Sequence, residues 1–233
     1  MSDAAPLGIT LVGATGLIGG QVMAYCVGRE DVRLSAIARR EAALPPGIRM
    51  ELFVANPDKW GEVIEALRPT AVICALGTTW KKAGEQEEAF REVDERLVLD
   101  VAQAAKANAV ERFVAISSVG ADAASKQFYL KVKGQVEREL TRIRFNRLDI
   151  LRPGLLLGAR DADRRRGERL AQLAAPAFNL FLHGKYRQYR AISADIVAQA
   201  ALALAKRPAR GRFVHDNDAI LRAARSLPQL AKE

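Results

Sequence analysis

The chain has 233 residues, 49% of them hydrophobic, enough to bury a sizeable core without disulfides or a structural metal. Its two cysteines, Cys26 and Cys74, each sit inside an apolar run, which fits buried thiols in a reducing compartment and neither a disulfide framework nor a metal cluster. The net charge of +9 belongs to the second half: residues 1–120 carry 13 basic and 16 acidic side chains, residues 121–233 carry 23 and 11.

The elements alternate. Leu7–Val12 reads as a buried strand, Leu17–Val27 as a helix, Val32–Ala38 as a second strand and Ile48–Val54 as a third. A helix is expected over Lys59–Leu67, a fourth strand over Thr70–Leu76, a polar loop over 77–84 and a long helix over Gln86–Ala107. Val110–Ser117 is the fifth strand, Lys126–Ile143 a helix, and Leu148–Leu151 a sixth strand stopped by Pro153-Gly154. Beyond it the alternation loosens into a charged loop at 158–169, a helix over Leu170–Leu182 and another over Ile196–Ala205. Strand–helix alternation over this length predicts an α/β protein with a doubly wound parallel sheet covered on both faces. No repeat or Pro/Gly/Ser-rich linker divides the chain, so one domain is expected over 1–233: a core at about 7–153 and a substrate-side region at about 154–225.

Between the first strand and the first helix lies Gly13-Ala14-Thr15-Gly16-Leu17-Ile18-Gly19. Glycine at 13 permits a tight turn, at 16 a close approach of a pyrophosphate to the backbone, and at 19 close helix–strand packing. A pyrophosphate there would rest on the amides and positive dipole end of the helix, so Gly13, Thr15, Gly16, Leu17 and Ile18 are candidate dinucleotide contacts. At the end of the second strand, where an acidic residue would bond the 2′-hydroxyl of NAD, the sequence has Arg39 and Arg40. A guanidinium there suits a 2′-phosphate, so the expected cofactor is NADP(H).

Tyr129 and Lys133 are four residues apart on an expected helix, hence on one face. An ammonium beside a phenol favours the phenolate, which suits acid/base work, and the same lysine can hold ribose hydroxyls. Ser117 and Ser118 close the fifth strand at the edge where open α/β sheets bind ligands, and a hydroxyl there can polarise a substrate carbonyl.

These blocks, GATGLIG at 13–19, CALGTT at 74–79, RFVAISSVGA at 112–121, YLKVKG at 129–134 and LRPGLLLG at 151–158, resemble an atypical member of the short-chain dehydrogenase/reductase superfamily with its NAD(P)-binding Rossmann fold. LGTT followed by Lys82-Ala83-Gly84, SSVGAD and YLKVKGQVE are similar to the Tat-interacting oxidoreductase-like branch and its bacterial relatives. The resemblance implies Tyr129 as catalytic acid/base, Lys133 as its partner and ribose anchor, and Ser118, ahead of Ser117, as the substrate-orienting hydroxyl. It implies Leu76 and Gly77 on the adenosine side, Thr78 and Thr79 in a loop facing the cofactor, and Pro153, Gly154 and Leu155 around the nicotinamide. Ser118 and Tyr129 are closer together than is usual in the superfamily, and Asn56-Pro57 stands where an acidic residue near the adenine is often found.

The function expected is NADPH-dependent reduction of a small carbonyl substrate. The alternatives are a non-catalytic NADPH sensor with a protein partner docked on its basic half, and, behind it, a nucleotide-sugar epimerase or dehydratase. No metal is expected, since His183 and His215 have no ligand-type neighbours at metal spacing. Nucleic acid is not an expected partner, because the basic residues lack interleaved aromatics or a docking module. Trp60 and Trp80 are expected to pack, and Arg164–Arg166 to be solvated. The apolar runs fall short of the roughly 20 residues of a membrane span, and residues 1–6 lack the basic-then-apolar order of a secretory leader. These two features lead to the expectation of a cytoplasmic protein.

Overall fold

Strand β1 (Leu7–Val12) is flanked by β2 (Val32–Ala38) and β4 (Ala71–Cys74), and all three are parallel. With β3 (Met50–Val54), β5 (Arg112–Ile116), β6 (Arg147–Leu151) and β9 (Gly211–His215) they form one seven-stranded sheet in the order β3-β2-β1-β4-β5-β6-β9. Every pairing is parallel. Two short strands, β7 (Leu156–Leu157) and β8 (Ile192–Ser193), make a separate parallel pair beside it. The chain reverses direction of travel across the sheet between β1 and β4, which creates a crevice at their carboxyl ends. These relations come from a computed structural model that describes residues 5–157 and 184–228. The charged segment 158–169, with Arg164–Arg166, the helix expected over Leu170–Leu182 and His183 lie outside the described residues.

Parallel strands buried on both faces must be apolar on both faces, and β4 (AVIC), buried at all four positions, meets that demand in its shortest form. One face packs on helices α1 (Leu17–Tyr25), α6 (Ala194–Ala205) and α7 (Asn217–Arg225) through Ile9, Leu11, Ala36, Ile73 and Val114. The opposite face packs on α2 (Trp60–Leu67), α4 (Leu97–Ala107) and α5 (Phe128–Ile143) through Val12, Ile37, Val72, Phe113 and Ile150. The alternation of these residues along each strand sends neighbours to opposite faces. Helix α6 is buried along nearly its whole length, which explains a sequence of alanine and leucine with little polar face.

The elements expected within the described residues are present, most with shorter ends, while β6 and α6 begin one and two residues before their expected starts. The helix expected over Gln86–Ala107 is divided. Helix α3 (Glu87–Arg91) passes into a π-turn at Glu92–Arg96 before α4 begins. Strand β9 and helix α7 were outside the sequence expectation. Their signal was present in Arg212-Phe213-Val214, followed by Asp216, whose side chain caps α7 by accepting from the Ala219 amide at 2.8 Å. The strand was hidden because a five-residue edge strand exposed at four positions carries no core pattern.

Candidate functional site

The expected site residues converge on the carboxyl edge of the sheet. Gly13–Ile18 follow β1, Arg39 and Arg40 follow β2, Leu76–Thr78 follow β4, Ser117 and Ser118 follow β5, and Pro153–Leu155 follow β6. These five strands are adjacent in the sheet, so residues far apart in sequence are brought to one edge.

Gly13 has φ +97°, and a Cβ there would lie 2.7 Å from both the carbonyl carbon and oxygen of Ala75. The turn therefore needs glycine for its backbone conformation and for its approach to β4. At Gly19 a Cβ would fall 2.2 Å from the Gly13 carbonyl oxygen, so α1 lies directly against the turn. The first turn of α1 contains no acidic side chain and no side-chain cap, so the positive end of its dipole is left for an anion. Thr15 is exposed, whereas the Ile18 side chain is 6% exposed and part of the core, so Ile18 could serve a ligand only through its backbone amide. Arg39 and Arg40 are exposed, with no ion pair among the described residues. A helix start free of acids and two free guanidiniums fit a dinucleotide with an additional phosphate.

Lys133 is 5% exposed, and its Nζ lies 2.7 Å from Oδ1 of Asp94. Burial works against the ammonium, but the charge of Asp94, then the phenol of Tyr129, outweigh it and hold Lys133 above its ordinary value of 10.5. The second oxygen of Asp94 accepts a hydrogen bond from the Thr78 amide at 2.7 Å, so one carboxylate ties the loop after β4 to α5. Oδ1 has no well-aligned hydrogen bond, and its contact with Lys133 is an ion pair off the ideal hydrogen-bond line. Asp94 sits in the π-turn, a local distortion frequent at functional positions. Cys74, at the end of β4, is close enough to feel the Lys133 charge, yet burial pushes its thiol up to about 12 and keeps it neutral.

The two serines differ. Ser117 donates its hydroxyl proton to Glu137, which is 7% exposed and is held in turn by Arg152, with Nε to Oε1 at 2.9 Å. Ser118 makes only a 3.3 Å contact to the Val119 carbonyl. Of the two hydroxyls, only that of Ser117 is committed to a carboxylate. The Val119 amide donates to the Pro153 carbonyl at 3.0 Å, and the Gly154 amide donates to Oδ1 of Asn217 at 2.8 Å, which fixes the loop after β6 beside the serines. Leu155 stands 63% exposed at its end.

Tyr129 belongs to an aromatic group. Its ring is 5.5 Å from that of Phe90, which is 5.7 Å from Phe128, and Trp80 lies edge-on to Phe128 at 5.3 Å. Trp60 packs as expected, 3% exposed with its indole N–H donated to the Ala55 carbonyl at 3.0 Å. Trp80 packs on one side and is 38% exposed on the other. His215 meets a carboxylate in space that its sequence neighbours do not show: its Nε2 is 2.8 Å from Oδ1 of Asp149, which also takes two hydrogen bonds from Arg147. A buried aspartate already paired with a guanidinium is a structural link between β6 and β9. Among the described residues, no group of three or more His, Cys, Asp or Glu side chains is arranged to hold a metal ion.

Asp94, Glu137 and Asn217 were missed in the sequence. For the two acids a signal existed: Asp94 shares the spacing of buried Phe90, Leu97, Val98 and Val101, and Glu137 that of Val132, Val136 and Leu140. A carboxylate on an apolar helix face must be paired.

A parallel sheet in this order, with its glycine turn at the switch point, defines a Rossmann-type nucleotide-binding protein. The chain belongs to the NAD(P)H-binding family, whose model matches residues 13–208. It is 32% identical over 201 residues to "Protein fmp52, mitochondrial" of Emericella nidulans, covering 83% of this chain and 85% of the relative. To "Protein FMP52, mitochondrial" of Saccharomyces cerevisiae it is 35% identical over 160 residues, covering 67% and 69% of the two chains. Among solved structures, MoeE5 in complex with UDP-glucuronic acid and NAD superposes with a TM-score of 0.69 at 16% identity, over 89% of this chain and 75% of that one. The UDP-glucose 4-epimerase of Thermus thermophilus in complex with NAD gives 0.64 at 18% identity, over 94% and 82%. The structural likenesses bear out the doubly wound Rossmann fold.

The expectation of a cytoplasmic protein is overturned by these relatives, which are named as mitochondrial. It had rested on the absence of a secretory leader and of a spanning apolar run, and neither feature bears on an organelle. No helix among the described residues is long and apolar enough to cross a membrane.

Proposed function

We propose that the protein is an NADP(H)-dependent oxidoreductase that reduces a small carbonyl compound, in a mitochondrial setting like that named for its relatives. The observation that carries this reading is the buried Lys133 ammonium, held by Asp94 one helical turn from Tyr129. A lysine is buried and kept charged at the cost of its hydration, and an adjacent phenol gives that charge a use. When bound, NADPH would supply the hydride. Tyr129 gives its hydroxyl proton to the carbonyl oxygen, and the Lys133 ammonium offsets the negative charge left on the phenolate. Ser118 donates a hydrogen bond to the same carbonyl oxygen and orients it. Asp94 keeps Lys133 in place and holds the loop at Thr78.

Gly13, Thr15, Gly16, Leu17 and Ile18 would hold the pyrophosphate, chiefly through the amides at the start of α1. Arg39 and Arg40 would hold the 2′-phosphate, Leu76, Gly77 and Thr78 the adenosine side, and Pro153, Gly154 and Leu155 the nicotinamide. The same motifs support the narrower resemblance to the Tat-interacting oxidoreductase-like branch.

The test is a Tyr129→Phe variant assayed with NADPH and a panel of small aldehydes, ketones and quinones. Turnover should fall by about 10²–10⁴-fold, the usual worth of a positioned acid, with NADPH affinity unchanged. Undiminished turnover in the variant removes Tyr129 from the chemistry. NADPH binding without turnover of any carbonyl compound by the unsubstituted protein favours the sensor reading instead.

A further inference from the structure

The α2-covered side of the sheet changes character along its strands. Towards the carboxyl ends it is apolar, with Val12 and Ile37 packed against Trp60 and Ile64 of α2. Two and four residues earlier the same side of β1 carries Thr10 and Gly8, and the same side of β2 carries Ser35 and Arg33. The register aligns Gly8 with Arg33, Thr10 with Ser35, and Ser35 in turn with Glu51 of β3. Helix α2 ends at Leu67, at the border of this half of the face. A cavity of about 360 Å³ remains between the strands, Arg49, Leu67 and Pro69.

Its floor is polar where a core would be apolar. Thr10 is 1% exposed, and its hydroxyl oxygen has no hydrogen-bond partner. Ser35, beside it, is 8% exposed. Gly8 removes side-chain bulk at the entrance, and Nη2 of Arg33 lies 3.8 Å from where a Cβ on Gly8 would stand, so the guanidinium overhangs the opening. Arg33 and Arg49 are exposed, with no ion pair among the described residues, while Glu51 is the single carboxylate on the rim. Two cations against one anion leave the lining positive.

We propose that this cavity binds a small oxyanion, the carboxylate or phosphate group of a small metabolite. Arg33 donates to its oxygens in the paired geometry that a guanidinium offers, and the Thr10 and Ser35 hydroxyls donate to it from the floor. Glu51 accepts from a hydroxyl elsewhere on the ligand. The volume is at the lower end of small-molecule pockets, about 300–1,000 Å³. Water could give Thr10 a partner, and the positive charge of the two guanidiniums beside it favours an anion in its place. The site is at the amino ends of the strands, across the sheet from the glycine turn, and does not depend on the oxidoreductase reading.

The experiment is a titration of the full chain with inorganic phosphate and with succinate, at ionic strength held constant with chloride, followed by amide cross-peaks in a nitrogen-15 NMR spectrum. Saturable shifts are expected at 8–10 and 33–35 with one or both probes, and the responding probe distinguishes phosphate from carboxylate. The affinity should weaken about tenfold or more in Thr10→Val and in Arg33→Ala. It should hold in a double Arg39→Ala, Arg40→Ala variant, which removes the phosphate-binding arginines of the opposite edge. Arg33 is exposed, so its variant keeps the test intact should Thr10→Val fold poorly. The proposal is overturned by the absence of saturable shifts at these residues, or by an Arg33→Ala variant that binds as tightly as the unsubstituted protein.

Discussion

Replacing Asp94 with asparagine tests the centre of the site without touching the substrate-facing groups. Asparagine keeps an oxygen for the Thr78 amide and removes only the charge opposite Lys133. At the observed 2.7 Å separation, the Coulomb attraction at an effective dielectric constant of about 20 is roughly 6 kcal/mol, and desolvation of the two groups offsets most of it. The variant keeps the burial penalty on Lys133 and loses the attraction, so unfolding free energy should fall by about 3–5 kcal/mol at pH 7.

The pH dependence sharpens the prediction. In the unsubstituted protein the Lys133 value is raised above 10.5, with burial opposing and Asp94 outweighing it. Its contribution to stability is therefore complete below the unfolded lysine value and is lost only as pH rises through the higher folded value. In Asp94→Asn burial is left with far less to oppose it, and the folded value moves down. The unfolded state then binds more protons below about pH 10.4, so the variant gains stability as pH rises towards that value. Urea unfolding at pH 7, 8.5 and 10 should show the gap between the two proteins narrowing. A double Asp94→Asn, Lys133→Met variant should recover much of the loss at pH 7. A loss below about 1 kcal/mol at pH 7, the range of an exposed pair, together with parallel pH profiles, would refute the buried ion pair as the organising contact.

Three further outcomes are expected. Gly19→Ala places a methyl 2.2 Å from the Gly13 carbonyl oxygen; urea denaturation should show a loss of about 1–3 kcal/mol or more, and cofactor affinity should fall as the turn shifts. Ser117→Ala removes a hydrogen bond to the buried Glu137 carboxylate and should cost about 1.5–3 kcal/mol of stability with turnover per folded molecule preserved, whereas Ser118→Ala should lose turnover with little change in stability; equal effects of the two would show that the serines are assigned wrongly. The Arg39→Ala, Arg40→Ala variant should weaken NADPH by about tenfold or more while leaving NADH unchanged, read by titration of nicotinamide fluorescence, and equal losses for both nucleotides would refute the 2′-phosphate contact.

Much of this protein could be read without coordinates because its local and tertiary demands coincide. Buried parallel strands require largely apolar runs, so β4 and the carboxyl halves of β1 and β2 announce themselves, and a glycine-rich strand–helix junction signals its turn. Gly13, with its positive φ, and Gly19, against the turn, were thus legible in role as well as position. Tyr129 and Lys133 were legible as a pair because helical spacing alone puts them on one face.

Tertiary structure decided what depends on a partner from elsewhere in the chain. Ser117 and Ser118 are adjacent and chemically alike, and only Glu137, arriving from α5 with Arg152 from the end of β6, sets their hydrogen bonding apart. Asp94 is one acid among several in its segment until the π-turn and the fold bring it to Lys133. The polar floor at Thr10 and Ser35 emerges only when parallel register aligns two strands and α2 ends at the border of the cavity above them. Periodicity is legible in the sequence because the backbone imposes it residue by residue; which buried charge meets which, and where a cavity remains, are set by contacts between segments whose separation along the chain carries no signal of their distance in space.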